Sequence, residues 1–345
     1  MTQGIASAPH HEDSNAGSPS RRRLLLWWLH GAVRFVLAAL LIYNGVIKLG
    51  LGQFGAPDIG ESLITLGEMS PMGLLSRMVG FSPLFQVLAG VAEVGAAAAL
   101  IWRRTALFGG LVTFASMSFI FVLNLGYDMP GKQLSIFMLV LALIVIAPWG
   151  LRTVSAIVGS GGLQAPRRPR LFRGERANKV AGIVAPIAGW LVLLLFSAAI
   201  VATQPTHSTD SSAPAGVWAV ETSDSQEEGA DDQRWQTIAL GDRLTDGRAK
   251  VQVRQTDGTL LTGTYARHED TLDLELKPLR QPGQAALAYA NEPALLQSVT
   301  YALSGSSQMT LAGDQTASAR LDHDAAVLYE RGFSWGMRSD DPFER

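Results

Sequence analysis

Glu93 is the one carboxylate in the run Leu84–Trp102, LFQVLAGVAEVGAAAALIW. As a helix, ~20 apolar residues rise about 30 Å, enough to cross a bilayer core. An ionised carboxylate near the middle of such a helix is costly unless a partner or a wet cavity receives it. Arg34 is the matching oddity in the run Leu24–Leu49. Counted from the arginine-flanked edges, Arg34 lies ten residues from Leu24 and Glu93 ten residues from Arg103. Both then stand about 15 Å deep on adjacent antiparallel helices. This spacing predicts an Arg34–Glu93 ion pair, with His30 one turn from Arg34 on the same face.

Further polar groups gather toward the other edge. Asn44 and Lys48 are four apart in the first run, Gln86 opens the second, and Asn124 closes a third. Tyr43 and Tyr127 lie near them in depth, and Gly90, Ala92, Gly95, Ala96 and Ala99 let helices approach closely. One reading is a ligand or proton site lined by Arg34, Glu93, Asn44 and Lys48. The other is a structural ion pair, with Lys48 extending its ammonium to the membrane interface. The residues alone leave both open.

The elements that must position these groups follow from hydropathy. Residues 1–20 are small and polar and read as a disordered cytoplasmic tail, in which the adjacent His10 and His11 make no metal site. Residues 21–150 hold four apolar runs: Leu24–Leu49, Leu84–Trp102, Thr105–Leu125 and Leu134–Trp149. Residues 151–179 form a basic linker, 180–202 a fifth apolar run, and 203–345 a polar, β-patterned region. Ser20–Leu25 superficially matches a twin-arginine export signal. The run behind it is too long and contains Arg34, so a retained span is expected. Arg21 to Arg23, Arg103, Arg104 and the linker arginines fall on one side of the spans, which places the N-terminus in the cytoplasm. Five crossings then put the region after residue 203 outside. Between the first two runs, Gly50–Pro83 is rich in Gly and Pro. Within it, Ile59–Leu66 and Met72–Val79 are mildly amphipathic and are expected as short interfacial helices over the bundle mouth.

Composition narrows the chemistry. Of 345 residues, 48% are hydrophobic and 17% charged, and the net charge is -2. The basic residues cluster beside apolar spans, so no nucleic acid is expected as a partner; the lipid bilayer is. Cysteine is absent, which removes disulfides, thiol relays, Cys-ligated zinc and thiolate-held iron–sulfur clusters.

From Gly216 the pattern changes to period two. Arg234–Leu240, Ala249–Arg254, Thr259–Ala266, Thr271–Leu276, Ser298–Leu303, Gln308–Ala312 and Ser318–Leu321 read as strands. Thr245-Asp246-Gly247, Asp257-Gly258, His268-Glu269-Asp270 and Ser304-Gly305 supply turns. About eight short strands predict an antiparallel barrel or sandwich. Trp218 and Trp235 are expected in its core or mouth. His268 and His323 have acidic neighbours, but solvated turns look the same, and no metal site is assigned.

Two stretches resemble a known family. Arg34-Phe-Val-Leu-Ala-Ala-Leu-Leu-Ile-Tyr-Asn-Gly45-Val-Ile-Lys48 is similar to the first helix of DoxX-family membrane proteins, with its arginine and Gly-x-x-Lys ending. Phe85 to Leu100, with Gly90, Glu93 and Gly95, resembles the family's second helix. The ending Arg331-Gly332-Phe333-Ser334-Trp335, then Pro342-Phe343-Glu344-Arg345, resembles the tail of DoxX-like proteins with a periplasmic extension. Ser334 stands there in place of a histidine and Glu344 in place of an asparagine. Phe333, Trp335 and Phe343 are expected to pack onto the barrel or the membrane surface.

The resemblance implies a four-helix integral membrane module over about residues 30–150, in the inner (plasma) membrane of a bacterium. It further implies an accessory redox-linked component that binds a quinone-like or lipid ligand near Arg34 and Glu93, or docks a membrane redox or envelope protein. An envelope scaffold and a small-solute transporter are the alternatives. Any activity would be that of an oxidoreductase subunit, and quinone is the one cofactor the resemblance implies.

Overall fold

A computed structural model describes residues 21–150, 154–155, 174–223, 233–330 and 335–336. The tail 1–20, most of the basic linker, Phe333 and Phe343 lie outside the described residues. Five of the helices are long and apolar enough to cross a membrane. These are α1 (Arg21–Leu49), α3 (Pro83–Ile101), α4 (Ala106–Gly126), α5 (Lys132–Ile146, carried to Trp149 by a 3-10 turn) and α6 (Glu175–Ala202). They match the five apolar runs to within a few residues, except that α6 begins five residues before Val180.

Between α1 and α3 lies α2 (Pro71–Phe81). Ser70 starts it, its hydroxyl accepting the Gly73 N–H at 3.0 Å, with Pro71 in the first turn. The expected helix over Ile59–Leu66 is instead a pair of 3-10 turns, Ile59–Glu61 and Leu66–Glu68. Asp58 caps the first, and a Thr65–Glu68 capping box opens the second. Two closely spaced caps favour two short turns over one helix.

The chain divides into two compact units. The first holds α1 up to Val46, Gly90–Leu125 and Pro130–Ile200. Glycines set its closest approaches. A Cβ on Gly45 would stand 2.9 Å from the Val94 side chain and 3.0 Å from the Gly90 carbonyl, so α1 and α3 nearly touch there. Gly109 meets the backbone of α3 at Ala96 and Leu100, and the next residue, Gly110, meets Val145 and Ile146 of α5. Leu37, Leu41, Leu100, Met138 and Val145 fill the interior. Apolar side chains such as Phe108, Val122 and Leu195 stay more than half exposed, as suits a lipid-facing surface.

The second unit holds Ile47–Ala89, Gly126–Met129 and the chain from Val201. Its strands are β1 (His207–Thr209), β2 (Gly216–Ser223), β3 (Trp235–Thr245), β4 (Arg248–Gln255), β5 (Leu260–His268), β6 (Thr271–Pro278), β7 (Leu295–Ser304), β8 (Gln308–Gly313) and β9 (Ala317–Leu321). Consecutive strands from β2 to β9 pair antiparallel, and β9 returns to β2. The result is a closed eight-stranded barrel, not a sandwich. β1, which hydropathy and alternation did not single out, extends the β3 edge at Arg243–Thr245. Asp246 and Gly247 both have positive φ, 52° and 81°, the requirement of a tight primed hairpin turn between β3 and β4.

Alternate residues point inward and fill the barrel. Trp218, Trp235, Ile238, Val251, Leu276 and Met309 belong to one continuous core. Among the described residues the interior is a packed core. Trp335 is 94% exposed, which rules out the first of its two expected placements, on the barrel, and does not bear on the second, the membrane surface. A short helix, α7 (Ala286–Ala290), lies between β6 and β7, and α8 (Val327–Glu330) follows β9.

Candidate functional site

Within the first unit, the polar side chains of α1 cap other helices. His30 Nε2 lies 3.1 Å from the carbonyl of Val145, in the last turn of α5. Its ring is clasped by Trp27 and Trp149 at centroid distances of 5.5 and 5.8 Å. One turn on, Arg34 Nη2 donates to the carbonyl of Ile101, the last residue of α3, at 3.0 Å. Terminal helix carbonyls lack intrahelical partners and carry partial negative charge, so a cation is well placed there. His30 and Arg34 thus share a face, as the spacing predicts, but serve two different helix ends.

The expected Arg34–Glu93 pairing fails on level. Glu93 stands beside Gly45, whose Cβ would lie 3.2 Å from that of Glu93. Ile101, where Arg34 is anchored, is eight residues from Glu93 on α3, about 12 Å by helical rise. The count took Leu24 and Arg103 as one level. In fact α1 starts at Arg21 and overhangs the end of α3, so Arg34 meets the last residue of α3 instead of its middle. Arg34 Nε is buried without a hydrogen-bond partner. Glu93 itself is 2% exposed.

Asn44 Nδ2 donates to Leu40 of its own helix at 2.9 Å. Asn124 Nδ2 donates to Ser135 Oγ at 3.2 Å, joining α4 to α5. In the second unit, Gln86 Nε2 donates to the Gly55 carbonyl at 2.7 Å while its Oε1 is buried without a partner. Lys48 is buried.

The second unit shows what sequence reasoning missed. The segment Asp58–Glu68 runs along the outer wall of β3 and β4. Inward residues Val251 and Val253 belong to the core, so Lys250, Gln252 and Arg254 face out. Each of these meets the segment. Lys250 Nζ lies 2.8 Å from Glu61 Oε2, Gln252 Oε1 accepts the Leu63 N–H at 2.9 Å, and Arg254 forks onto both oxygens of Glu68 at 2.5 and 2.7 Å. Arg254 also donates to the Leu63 carbonyl at 2.7 Å.

The segment is anchored at a bulge in β3. Between Leu240↔Val251 and Leu244↔Ala249 the register shifts, so residues 241–243 stand opposite Lys250. The Asp58 carboxylate presses on Gly241 where any Cβ would collide with it. It accepts the Gly60 N–H at 2.9 Å, and Gly60 lies against the Lys250 carbonyl and the Gly241 nitrogen with no room for a side chain. From inside the barrel, the Tyr265 hydroxyl donates to the Gly241 carbonyl at 2.5 Å. Burial pushes Asp58 up to about 6, against the opposing pull of the Gly60 N–H and Lys250. The Arg254 fork holds Glu68 down at about 2.

This docking leaves a cleft of about 520 Å³ bounded by residues 54–69, α2, Lys250 and α8. Its walls are Ile64, Leu66, Leu74, Met78, Phe81 and Leu328, and its polar end carries Glu61, Arg77 and Lys250. Gly80 brings α2 onto the segment: its Cβ would lie 2.6 Å from the Phe54 carbonyl. The volume and the mixture of apolar wall and few polar groups are those of a small-molecule site. The signals in the sequence were slight: the Thr65–Glu68 cap and the charges alternating along Arg248–Arg254.

No family model, curated protein or solved structure matches the chain.

Proposed function

We propose that this is a multi-pass membrane protein whose working part is the unit of barrel, α2 and residues 54–69, and that it binds an amphiphile, lipid or quinone-like, in the cleft beside α2. The helices anchor that unit, with the N-terminus in the cytoplasm and the barrel outside. The observation that carries this reading is the cleft: six apolar walls, Leu66 at 74% and Met78 at 50% exposure among them, converge on a charged end. Apolar side chains held open in this way outside the spans call for an apolar occupant. The continuous apolar core inside the barrel supports the same choice. The protein would then act as an accessory or scaffold component that presents its ligand to an envelope or redox partner, as the DoxX resemblance implies.

A second reading rests on Glu93, which is 2% exposed on α3 where Gly45 makes the closest contact with α1. A carboxylate buried in a membrane helix is a candidate ligand site within the bundle. One experiment weighs both. Lipids and quinones retained by the purified protein are profiled by mass spectrometry for wild type, Met78→Trp, which fills the cleft, and Glu93→Gln. A species lost only in Met78→Trp supports the cleft. A species lost only in Glu93→Gln moves the site to the bundle, and an unchanged profile in both variants overturns ligand binding at either place.

A further inference from the structure

Two cations share one carboxylate at the polar end of the cleft. Glu61 Oε2 lies 2.8 Å from Lys250 Nζ and 4.0 Å from Arg77 Nη1, so a single carboxylate serves both cations. Arg77 Nη1 also donates to the Glu61 carbonyl at 3.1 Å. Among the described residues no acceptor takes the other guanidinium N–H groups of Arg77, and both cations are open to the cleft, with side chains 32% and 40% exposed. The other nearby carboxylate is occupied. Asp58 is 6% exposed, turned onto Gly241 and engaged by the Gly60 N–H. Arg254 is saturated by Glu68. The face presented to the cleft therefore holds Arg77 and Lys250 sharing the single carboxylate of Glu61, while the Asp58 carboxylate, also on the lining, is turned onto Gly241 and Gly60.

From this geometry we infer that the cleft takes a single-chain anionic amphiphile, a long-chain fatty carboxylate, with its head group between Arg77 and Lys250 and its chain along Ile64, Leu74, Met78 and Phe81. The inference rests on the cleft being the binding site. A second counter-charge completes the cation pair, and a planar carboxylate suits the guanidinium fork. About 520 Å³ lies in the lower part of the range for small-molecule pockets and suits one chain better than the two of a phospholipid. The six apolar walls provide the surface that burial of an alkyl chain needs.

The test uses the full-length protein in phosphatidylcholine nanodiscs at pH 8, with labelled palmitate as probe. Hexadecanol, with the same chain and no charge, and phosphatidylglycerol, with an anionic head and two chains, are the competitors. Palmitate is expected to bind at least tenfold more tightly than hexadecanol. Lys250→Gln and Arg77→Gln should each shrink that ratio several-fold, with melting checked to show that both variants fold. Met78→Trp should remove binding of both single-chain ligands. Equal affinity for palmitate and hexadecanol, both lost in Met78→Trp, overturns the charge inference and leaves the amphiphile cleft standing. Displacement of palmitate by phosphatidylglycerol at lower concentration overturns the single-chain assignment. Absence of any binding to wild type sinks both.

Discussion

Arg254 and Glu68, 186 residues apart, close a two-pronged ion pair in which Nη1 meets Oε1 at 2.5 Å and Nη2 meets Oε2 at 2.7 Å. The pair fastens a segment that lies between two apolar helices in sequence onto the wall of a barrel built from the last third of the chain. Glu68 is at the same time the reciprocal partner of Thr65, so one carboxylate ends the turn and docks it.

A lysine at this position keeps the charge and loses the fork. Arg254→Lys is therefore expected to weaken docking by about 1 kcal/mol, as befits a partly exposed pair. Hydrogen exchange at the Leu63 amide, which bonds Gln252, reads the change. The exchanged pair Glu68→Arg with Arg254→Glu should recover part of the protection. Protection unchanged in Arg254→Lys would show that the fork contributes nothing to docking.

Asp58 makes the docked state sensitive to pH. Its value rises from 3.8 to about 6 on burial, so the docked state binds the proton more tightly than the released one. The stability this provides is complete below 3.8 and is lost as pH rises through about 6. Ionised Asp58 then costs on the order of 3 kcal/mol at pH 7.5. Glu68 and Asp210, both held at about 2 by arginine partners, act in the opposite sense: their contribution is present above their ordinary values and is lost as pH falls toward 2. The unit should be most stable at about pH 4. Asp58→Asn should melt above wild type at pH 7.5, with the gap closing at pH 4. An equal gap at both pH values contradicts the assignment of Asp58 as the titrating group.

The level difference between Arg34 and Glu93 is measurable as non-interaction. Groups without shared partners behave additively to within about 0.5 kcal/mol. In a double-mutant cycle, Arg34→Gln and Glu93→Gln should therefore add within that margin. Arg34→Gln should destabilise the bundle on its own, because the Ile101 carbonyl loses its donor. A coupling energy well above 1 kcal/mol would restore the direct pair that helix counting suggested.

Gly45 is a packing prediction. A methyl group there meets Val94 at 2.9 Å and the Gly90 carbonyl at 3.0 Å, which forces α1 and α3 apart. Gly45→Ala is expected to cost about 1–3 kcal/mol, the usual cost of overpacking, and Gly45→Leu more. Gly95, on the same helix as Glu93, has nothing within 4 Å of the corresponding position, so Gly95→Ala serves as the control and should leave the melting temperature within a few degrees.

Local sequence by itself determined the elements. Apolar length located five helices to within a few residues because a helix of given length either can or cannot cross an apolar layer. Alternation and the Asp246-Gly247 and Asp257-Gly258 turns located the barrel strands from β3 to β9, though not β2, because strand side chains repeat every second residue. His30 and Arg34 sharing a face followed from helical period alone. What only the tertiary structure decided was register between elements. Nothing local to α1 states how far it overhangs α3, so Arg34 met Ile101 and not Glu93. Nor does anything local to Asp58–Glu68 state that Lys250, Gln252 and Arg254 are its partners, since contacts across nearly 190 residues depend on how whole elements close on one another. Closure into a barrel was decided the same way, by the pairing of β9 with β2, and the cleft exists only because that closed wall and α2 enclose it.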